Sequence, residues 1–222
     1  MSRARAREIA RSFLEKGDPK GWFEALYREA AAEPSLIPWA DMVANPHLLS
    51  WLDKRGIRGE GKRAMVVGSG LGDDAELLSS RGFEVTAFDI SPEAIRQCRQ
   101  RFPDSPVNYL VADLFNPPVS WQGSFHLVLE AYTLQVLPPE LRRPAIKAIS
   151  PWVREGGILL AIARAREPQE NPGRMPWPLT RQEFTAFYEA GLECVSWEDY
   201  FDQEDPPVRR FRVEYRKRTG TL

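Results

Sequence analysis

Residues 64–74 read Ala64-Met65-Val66-Val67-Gly68-Ser69-Gly70-Leu71-Gly72-Asp73-Asp74. A short apolar run, a glycine-rich turn and the start of a polar helix follow one another directly. The run is too short for a helix and predicts a buried strand. The glycines let the backbone turn tightly and approach a ligand with no side chain intervening. The helix after them opens with N–H groups that have no intrahelical partner. This reads as a strand–loop–helix unit that binds a small ligand at its turn.

Working outward, the same alternation continues. Glu84–Phe88 predicts a strand and Pro92–Phe102 a helix, with Ser91 as N-cap and Pro92 at its first position. Strands follow at Val107–Ala112, Phe125–Glu130 and Gly157–Ala163, with helix over Glu140–Val153 whose main part opens at Pro144. Strands alternating with helices at this spacing imply parallel strands with helical crossovers on both faces. The tail differs. Thr180–Ala190 predicts a helix with a Thr180/Glu183 capping box, ended by Gly191. Leu192–Asp199 and Arg209–Arg216 alternate polar and apolar residues and predict two antiparallel strands at one sheet edge. The fold class is α/β: a Rossmann-like, doubly wound, mostly parallel seven-stranded sheet with an antiparallel C-terminal edge.

Upstream, residues 7–31 predict helix broken near Gly17-Asp18-Pro19. The prolines of Glu33–Asp41 forbid a regular element there, and Asn45-Pro46 starts a short helix that stops at Gly56. We therefore divide the chain into an N-terminal helical lid over residues 1–60 and a ligand-binding domain over 61–222, one structural unit overall.

Composition narrows the function. The chain has 222 residues, enough for one domain with an extension, and 43% hydrophobic content supports a sizeable core. A formal net charge of −1 argues against a nucleic-acid partner, which needs a basic surface. Two cysteines cannot build a disulfide framework, and two histidines make a His-rich metal site unexpected. Cys98 reads as packing and His126 as structural. No apolar stretch approaches the roughly 20 residues of a membrane span. The basic start, Met1-Ser2-Arg3-Ala4-Arg5, lacks the apolar segment of a secretory signal, so the expected compartment is the cytoplasm.

The loop detail narrows the ligand. A dinucleotide fingerprint needs its third glycine at position 73, which is Asp73. Asp73 and Asp74 would also place negative charge where a pyrophosphate sits, and the Gly-Lys-Ser/Thr of a phosphate loop is missing. A nucleoside without phosphates fits better. Asp89, at the end of the second strand, can accept from a ribose diol. It could instead cap the next helix, but Ser91 is already placed for that. Asp113 ends the third strand and can accept from an adenine amino group, while the next backbone N–H donates to a ring nitrogen. Ile90 or Leu114 supplies an apolar face.

The consecutive motifs Val66-Val67-Gly68-Ser69-Gly70-Leu71-Gly72, Phe88-Asp89-Ile90-Ser91, Val111-Ala112-Asp113-Leu114-Phe115 and Phe125-His126-Leu127-Val128-Leu129-Glu130 resemble those of class I S-adenosylmethionine-dependent methyltransferases. The likeness covers roughly residues 62–165. It implies S-adenosyl-L-methionine as cofactor, S-adenosyl-L-homocysteine as product, and Gly68, Ser69, Gly70, Gly72, Asp89, Ile90, Asp113, Leu114 and Glu130 as cofactor contacts. Gly21-Trp22-Phe23-Glu24 with Ile37-Pro38-Trp39 is similar to the Trp…Pro-Trp segment of the thiopurine, halide and thiol methyltransferases, to which the tellurite-resistance methyltransferases are related. By that resemblance Trp22 and Trp39 lie over the cofactor. This chain departs from it by an insertion between the two tryptophans, and Trp22 also fits the core face of an amphipathic helix.

The donor is a sulfonium, whose positive charge suits aromatic walls. Trp39, Tyr132 and Trp177 are the candidates for the acceptor pocket, and Tyr132 could equally be ordinary packing at a strand end. The Asn/Asp-Pro-Pro-Tyr/Phe motif of amino-group methylation on bases or glutamine is missing after the fourth strand. Glu130 stands there instead, a candidate for the cofactor's amino group or for a base. The proline-rich segment Glu167–Leu179 is read as a stiff rim on the acceptor side. No catalytic residue is assigned. The expected reaction is methyl transfer to a small-molecule acceptor (a thiol, a halide or metalloid, or a heterocycle) by a monomer or homodimer. The alternatives are a non-catalytic cofactor-binding regulator or scaffold and, less favoured by the glycine spacing, an NAD-dependent dehydrogenase.

Overall fold

A computed structural model describes residues 3–33, 37 and 39–219. The helices are α1 (Arg3–Leu14), α2 (Gly21–Glu29), α3 (Pro46–Arg55), α4 (Asp73–Ser80), α5 (Pro92–Arg101), α6 (Pro139–Ile149) and α7 (Thr185–Glu189). The strands are β1 (Arg63–Val67), β2 (Glu84–Asp89), β3 (Asn108–Val111), β4 (Phe125–Ala131), β5 (Val153–Arg164), β6 (Leu192–Phe201) and β7 (Arg209–Lys217). They form a seven-stranded sheet in the order β3-β2-β1-β4-β5-β7-β6. The β1–β4, β2–β3 and β4–β5 pairs are parallel, and β7 runs antiparallel to both β5 and β6. This is the expected doubly wound sheet with an antiparallel edge.

The chain groups into two compact units. The first comprises Met1–Gly61 and Gly68–Asp113, and the second Lys62–Val67 and Leu114–Leu222. The helical N-terminal segment thus groups with the glycine loop and the residues that follow it up to Asp113. Pro34, Ser35, Leu36 and Pro38 of the irregular stretch lie outside the described residues.

In the first unit, helix ends follow the local chemistry. Asn45 caps α3 by accepting from the His47 N–H, and Gly56 ends it in a left-handed conformation. The Ser91 hydroxyl caps α5 by accepting from the Ala94 N–H at 3.0 Å. Trp22 and Leu26 of α2 and Leu48, Trp51 and Leu52 of α3 are buried.

The second unit corrects two helix boundaries. Helix α6 opens at Pro139, with Pro144 inside it rather than at its start. Pro144 has no N–H to offer the Glu140 carbonyl, and the helix continues through it without that bond. The Thr180/Glu183 box forms, with Glu183 Oε2 accepting from the Thr180 N–H at 2.8 Å. Residues 181–184 nevertheless wind as turns with three-residue spacing, the Phe184 N–H donating to the Arg181 carbonyl and the Thr185 N–H to that of Gln182. The α-helix therefore begins only at Thr185.

The β6–β7 hairpin buries charge. Arg210 is 2% exposed; its Nε donates to Asp202 Oδ2 at 2.6 Å and it also pairs with Glu204. Arg212 is held by Glu198 at 2.6 Å. Removing one partner of a buried pair leaves an uncompensated charge, at a cost of about 3–5 kcal/mol. Asp202 also accepts from the Val208 and Glu204 N–H groups. Asp202→Ala should therefore lower the unfolding free energy by at least about 3 kcal/mol, measured by urea denaturation. A loss under 1 kcal/mol would show the hairpin does not depend on this pair.

Candidate functional site

In the first unit the glycine loop leaves β1 with Gly68, Gly70 and Gly72 all in the left-handed region, at φ 61°, 54° and 92°. Gly72 has no room for a side chain. A Cβ there would stand 2.6 Å from the Tyr109 hydroxyl and 3.2 Å from Cys98 Sγ. At Gly70 a Cβ would meet the Tyr27 hydroxyl at 3.2 Å. The loop backbone is thus pressed against its surroundings, and only glycine satisfies both the turn and the contact. Ser69 adds an unpartnered group, because its buried hydroxyl has no hydrogen-bond partner.

Asp89 ends β2 and is 6% exposed. Its Oδ2 accepts from the Gly70 N–H at 3.0 Å and its Oδ1 from the Ser91 N–H at 2.9 Å. It therefore ties the glycine loop to the turn after β2 and leaves the capping of α5 to Ser91. Burial pushes its carboxyl up to about 6, against the pull of those backbone donors. Ile90, beside it, is half-buried. The Ala112 N–H donates to the Asp89 carbonyl at 3.0 Å, setting the end of β3 beside that of β2. Asp113 follows, and Lys20 Nζ donates to its Oδ2 at 2.5 Å.

The two acids after the loop are engaged rather than free. Asp73 holds Arg101 at 2.7 and 2.8 Å, and Asp74 accepts from the Asn45 N–H at 2.7 Å. Their exclusion of a pyrophosphate by charge is thereby weakened, while the glycine spacing remains. Cys98 is buried, its Sγ lies 3.2 Å from the Gly70 carbonyl, and burial pushes its thiol up to about 12. It packs and is no nucleophile at neutral pH.

The N-terminal aromatics are placed unequally. Trp22 is 1% exposed and lies in the core, its ring edge-on to Trp39 with centroids 6.0 Å apart. Its burial on α2 fits the core face of that helix, with Trp39 packed edge-on against it. Trp39 is 37% exposed, and its indole N–H donates to the Tyr27 hydroxyl at 3.4 Å. Tyr27 stands over Gly70 and was not singled out by the sequence, where it reads as one more apolar position of a helix. Its position seven residues before Pro34 carries no motif; only the fold brings it to the loop.

In the second unit Glu130 pairs in register with Val67, the residue before the loop, and with Ala161. Glu130 is fully buried, Oε1 accepts from the Leu134 N–H at 2.9 Å, and Oε2 has no partner. Burial pushes it up to about 7. Tyr132, two residues on, adopts φ 68°, a strained conformation for a bulky residue. The Arg210 guanidinium lies 5.1 Å from the Tyr132 ring centroid. The Trp177 N–H donates to the Gln135 carbonyl at 2.7 Å, and Arg142 faces the Trp177 ring at 5.7 Å. Leu114 is buried at 8% exposure. His126 sits at the start of β4, where Nδ1 accepts from the Arg63 N–H, which fits a structural role. The loop 167–178 is strapped by Arg166, which donates to the carbonyls of Glu167, Pro168, Glu170 and Pro178.

Among the described residues no His/Cys/Asp/Glu group is arranged to hold a metal, and no helix is long and apolar enough to cross a membrane.

Comparison with known proteins adds to this geometry. Residues 64–157 match the family model described as a methyltransferase domain. The carboxy-S-adenosyl-L-methionine synthase of Geobacter sp. (strain M21) is 33% identical over 88 residues, 37% of this chain and 35% of that protein. The chain spans about a third of the length of the curated relatives it matches. The Burkholderia thailandensis 1,6-didemethyltoxoflavin-N1-methyltransferase, solved with bound 1,6-didemethyltoxoflavin and S-adenosylhomocysteine, is similar with a TM-score of 0.68 at 17% identity. That likeness covers 89% of this chain and 88% of that one. The N-methyltransferase NodS of Bradyrhizobium japonicum WM9, bound to S-adenosyl-l-homocysteine, gives 0.66 at 20% identity, over 86% of this chain and 98% of that one.

The buried Glu130 carries a pH signature. Its value in the fold, about 7, lies above its ordinary 4.5. Between those limits the native state holds more protons than the unfolded chain, so stability falls as pH rises through the window. Glu130→Gln removes that contribution. Its unfolding free energy, measured from pH 5 to 8, should decline less steeply than that of the unsubstituted protein. Identical slopes would mean that Glu130 ionises in the fold as it does in water.

Proposed function

We propose that this chain is a class I S-adenosylmethionine-dependent methyltransferase that moves a methyl group to a small-molecule acceptor and releases S-adenosyl-L-homocysteine. The observation that carries this reading is the arrangement of the first unit. Three strand ends meet there as a glycine loop, a buried acid after β2 and a second acid after β3. Ligands of open α/β sheets sit at the carboxyl ends of the strands.

The residues fit the cofactor. The positive-φ glycines leave the loop backbone bare, and the orphaned Ser69 hydroxyl is a buried polar group awaiting a partner. Gly68, Ser69, Gly70 and Gly72 form the cradle. Asp89 accepts from the ribose hydroxyls through lone pairs beyond those engaged by Gly70 and Ser91, since a carboxylate offers about four acceptor sites. Asp113 accepts from the adenine amino group, and Ile90 and Leu114 flank the base. Tyr27 and Trp39 cover the loop from α2 and the segment after it.

S-Adenosylmethionine supplies a methyl group activated by its sulfonium for in-line displacement. The protein's part is to bind, orient and exclude water. Trp39 offers an indole face to the cation. Tyr132 and Trp177 provide aromatic surface for the acceptor, with Tyr132 held by its strained backbone and by Arg210. Glu130, whose Oε2 is unpartnered, takes a proton or an amino hydrogen. A thiolate, halide or metalloid anion needs no general base, whereas a heterocyclic N–H does. The resemblance of Gly21–Glu24 and Trp39 to the thiopurine, halide and thiol methyltransferases supports a soft or heterocyclic acceptor. The balanced charge supports neither a nucleic-acid nor a membrane partner, and we place the protein in the cytoplasm as a monomer or homodimer.

Calorimetry with S-adenosylhomocysteine and NAD in parallel tests the cofactor. Binding of the first alone is expected, and binding of NAD alone overturns the proposal. Asp89→Ala should weaken S-adenosylhomocysteine by about 1–3 kcal/mol. Ser69→Ala should act with opposite signs. Deleting an unsatisfied buried hydroxyl leaves the free protein as stable or more so, while cofactor affinity falls by about 1 kcal/mol. A screen of thiols, halides and heterocycles with S-adenosylhomocysteine as readout identifies the acceptor class.

A further inference from the structure

Helix α2 lies along the elements that read the nucleoside. Its Glu24 Oε2 accepts from the Ser91 hydroxyl at 2.5 Å and from the Glu93 N–H at 3.0 Å, at the start of α5. The Tyr27 carbonyl accepts from Gln97 Nε2 at 3.3 Å. At the other end Lys20, the residue before α2, meets Asp113 at the end of β3.

The Lys20 backbone is locked where it stands. Asp18 Oδ1 accepts from the Lys20 N–H at 3.1 Å and from the Gly21 N–H at 2.8 Å. A Cβ on Gly21 would fall 2.1 Å from Asp18 Oδ2, so a side chain there would push the Asp18 carboxylate out of these bonds. The ammonium therefore projects from a fixed point. Lys20 and Asp113 side chains are 35% and 31% exposed, open enough for a ligand to approach.

The pair sets a hydrogen-bond donor beside an acceptor 2.5 Å away. The adenine ring presents the complementary edge. Its exocyclic amino group donates, and the ring nitrogens N1 and N7 on either side of it accept. With N1 assigned to the backbone N–H that follows Asp113, N7 is the acceptor left for a side chain. We propose that Lys20 is a specificity-determining residue of the cofactor site, donating from Nζ to adenine N7 while Asp113 accepts from the amino group. This rests on the S-adenosylmethionine reading above. The lysine adds a check on the base that Asp113 alone does not make, because a carboxylate accepts equally from any amino group.

The test compares S-adenosylhomocysteine with its 7-deaza analogue, in which C–H replaces N7 and the amino group and N1 are kept. The unsubstituted protein should bind S-adenosylhomocysteine about tenfold more tightly than the analogue. Lys20→Met should bind the two alike, with affinity for the analogue close to that of the unsubstituted protein, which also reports an intact fold. Lys20→Arg should keep the preference. If Lys20 only competes with the base for Asp113, Lys20→Met binds S-adenosylhomocysteine more tightly, and the proposal fails. It also fails if Lys20→Met keeps the preference for N7. Should Lys20→Met bind neither compound, Lys20→Arg decides, since loss of its preference overturns the proposal. Failure of the unsubstituted protein to bind S-adenosylhomocysteine overturns the methyltransferase reading instead, so the two failures are distinct.

Discussion

The first unit is organised around one buried carboxylate. Asp89 accepts from a backbone N–H of the glycine loop and from another in the turn after β2. Burying an acid is costly, and its raised pKa records that cost. The two amides offset part of it, and in return two segments distant in sequence hold one geometry. The left-handed glycines follow from the same crowding. With Tyr27, Tyr109 and Cys98 against the loop, its backbone has a single path. Ser91, fixed by Asp89, in turn receives Glu24 of α2, so the placement of that helix also leads back to this acid.

The second unit solves a different problem. Its edge hairpin carries Arg210, Arg212 and Glu214 in buried positions of β7. Such groups are tolerated only when paired, and Asp202, Glu204 and Glu198 pair the two arginines. Arg210 does more than close the hairpin, because its guanidinium faces Tyr132. A residue with an unfavourable backbone conformation after β4 is thereby braced from the sheet edge.

Much of this was legible in the residues. Apolar runs of strand length, Pro92 after Ser91, and Gly56 after α3 announce elements and their ends, because the signals are local. The glycine loop and the acids after β2 and β3 were legible for the same reason. Contacts that depend on distant partners were not. Trp22 fits both a cofactor cover and the core face of a helix, and only the fold shows how deeply it is buried while Trp39 stays exposed. Tyr27 and Lys20 carry no motif and gain their meaning from Gly70 and Asp113. Trp51, Trp121 and Trp152 are likewise core residues, which no local signal announces. The start of α7 was misplaced because a capping box specifies its two reciprocal bonds and not the winding of the turn that follows.

The strap on the loop 167–178 has a consequence for how such a protein diversifies. Arg166 grips that loop through four main-chain carbonyls. Carbonyls are common to every residue type, so the grip is indifferent to which side chains the loop displays. Shape and chemistry are thereby uncoupled. Residues such as Gln169 and Arg174 can be exchanged while the anchor holds the backbone. A loop of this construction lets its displayed side chains change, by drift or by engineering, without the fold being renegotiated at each step.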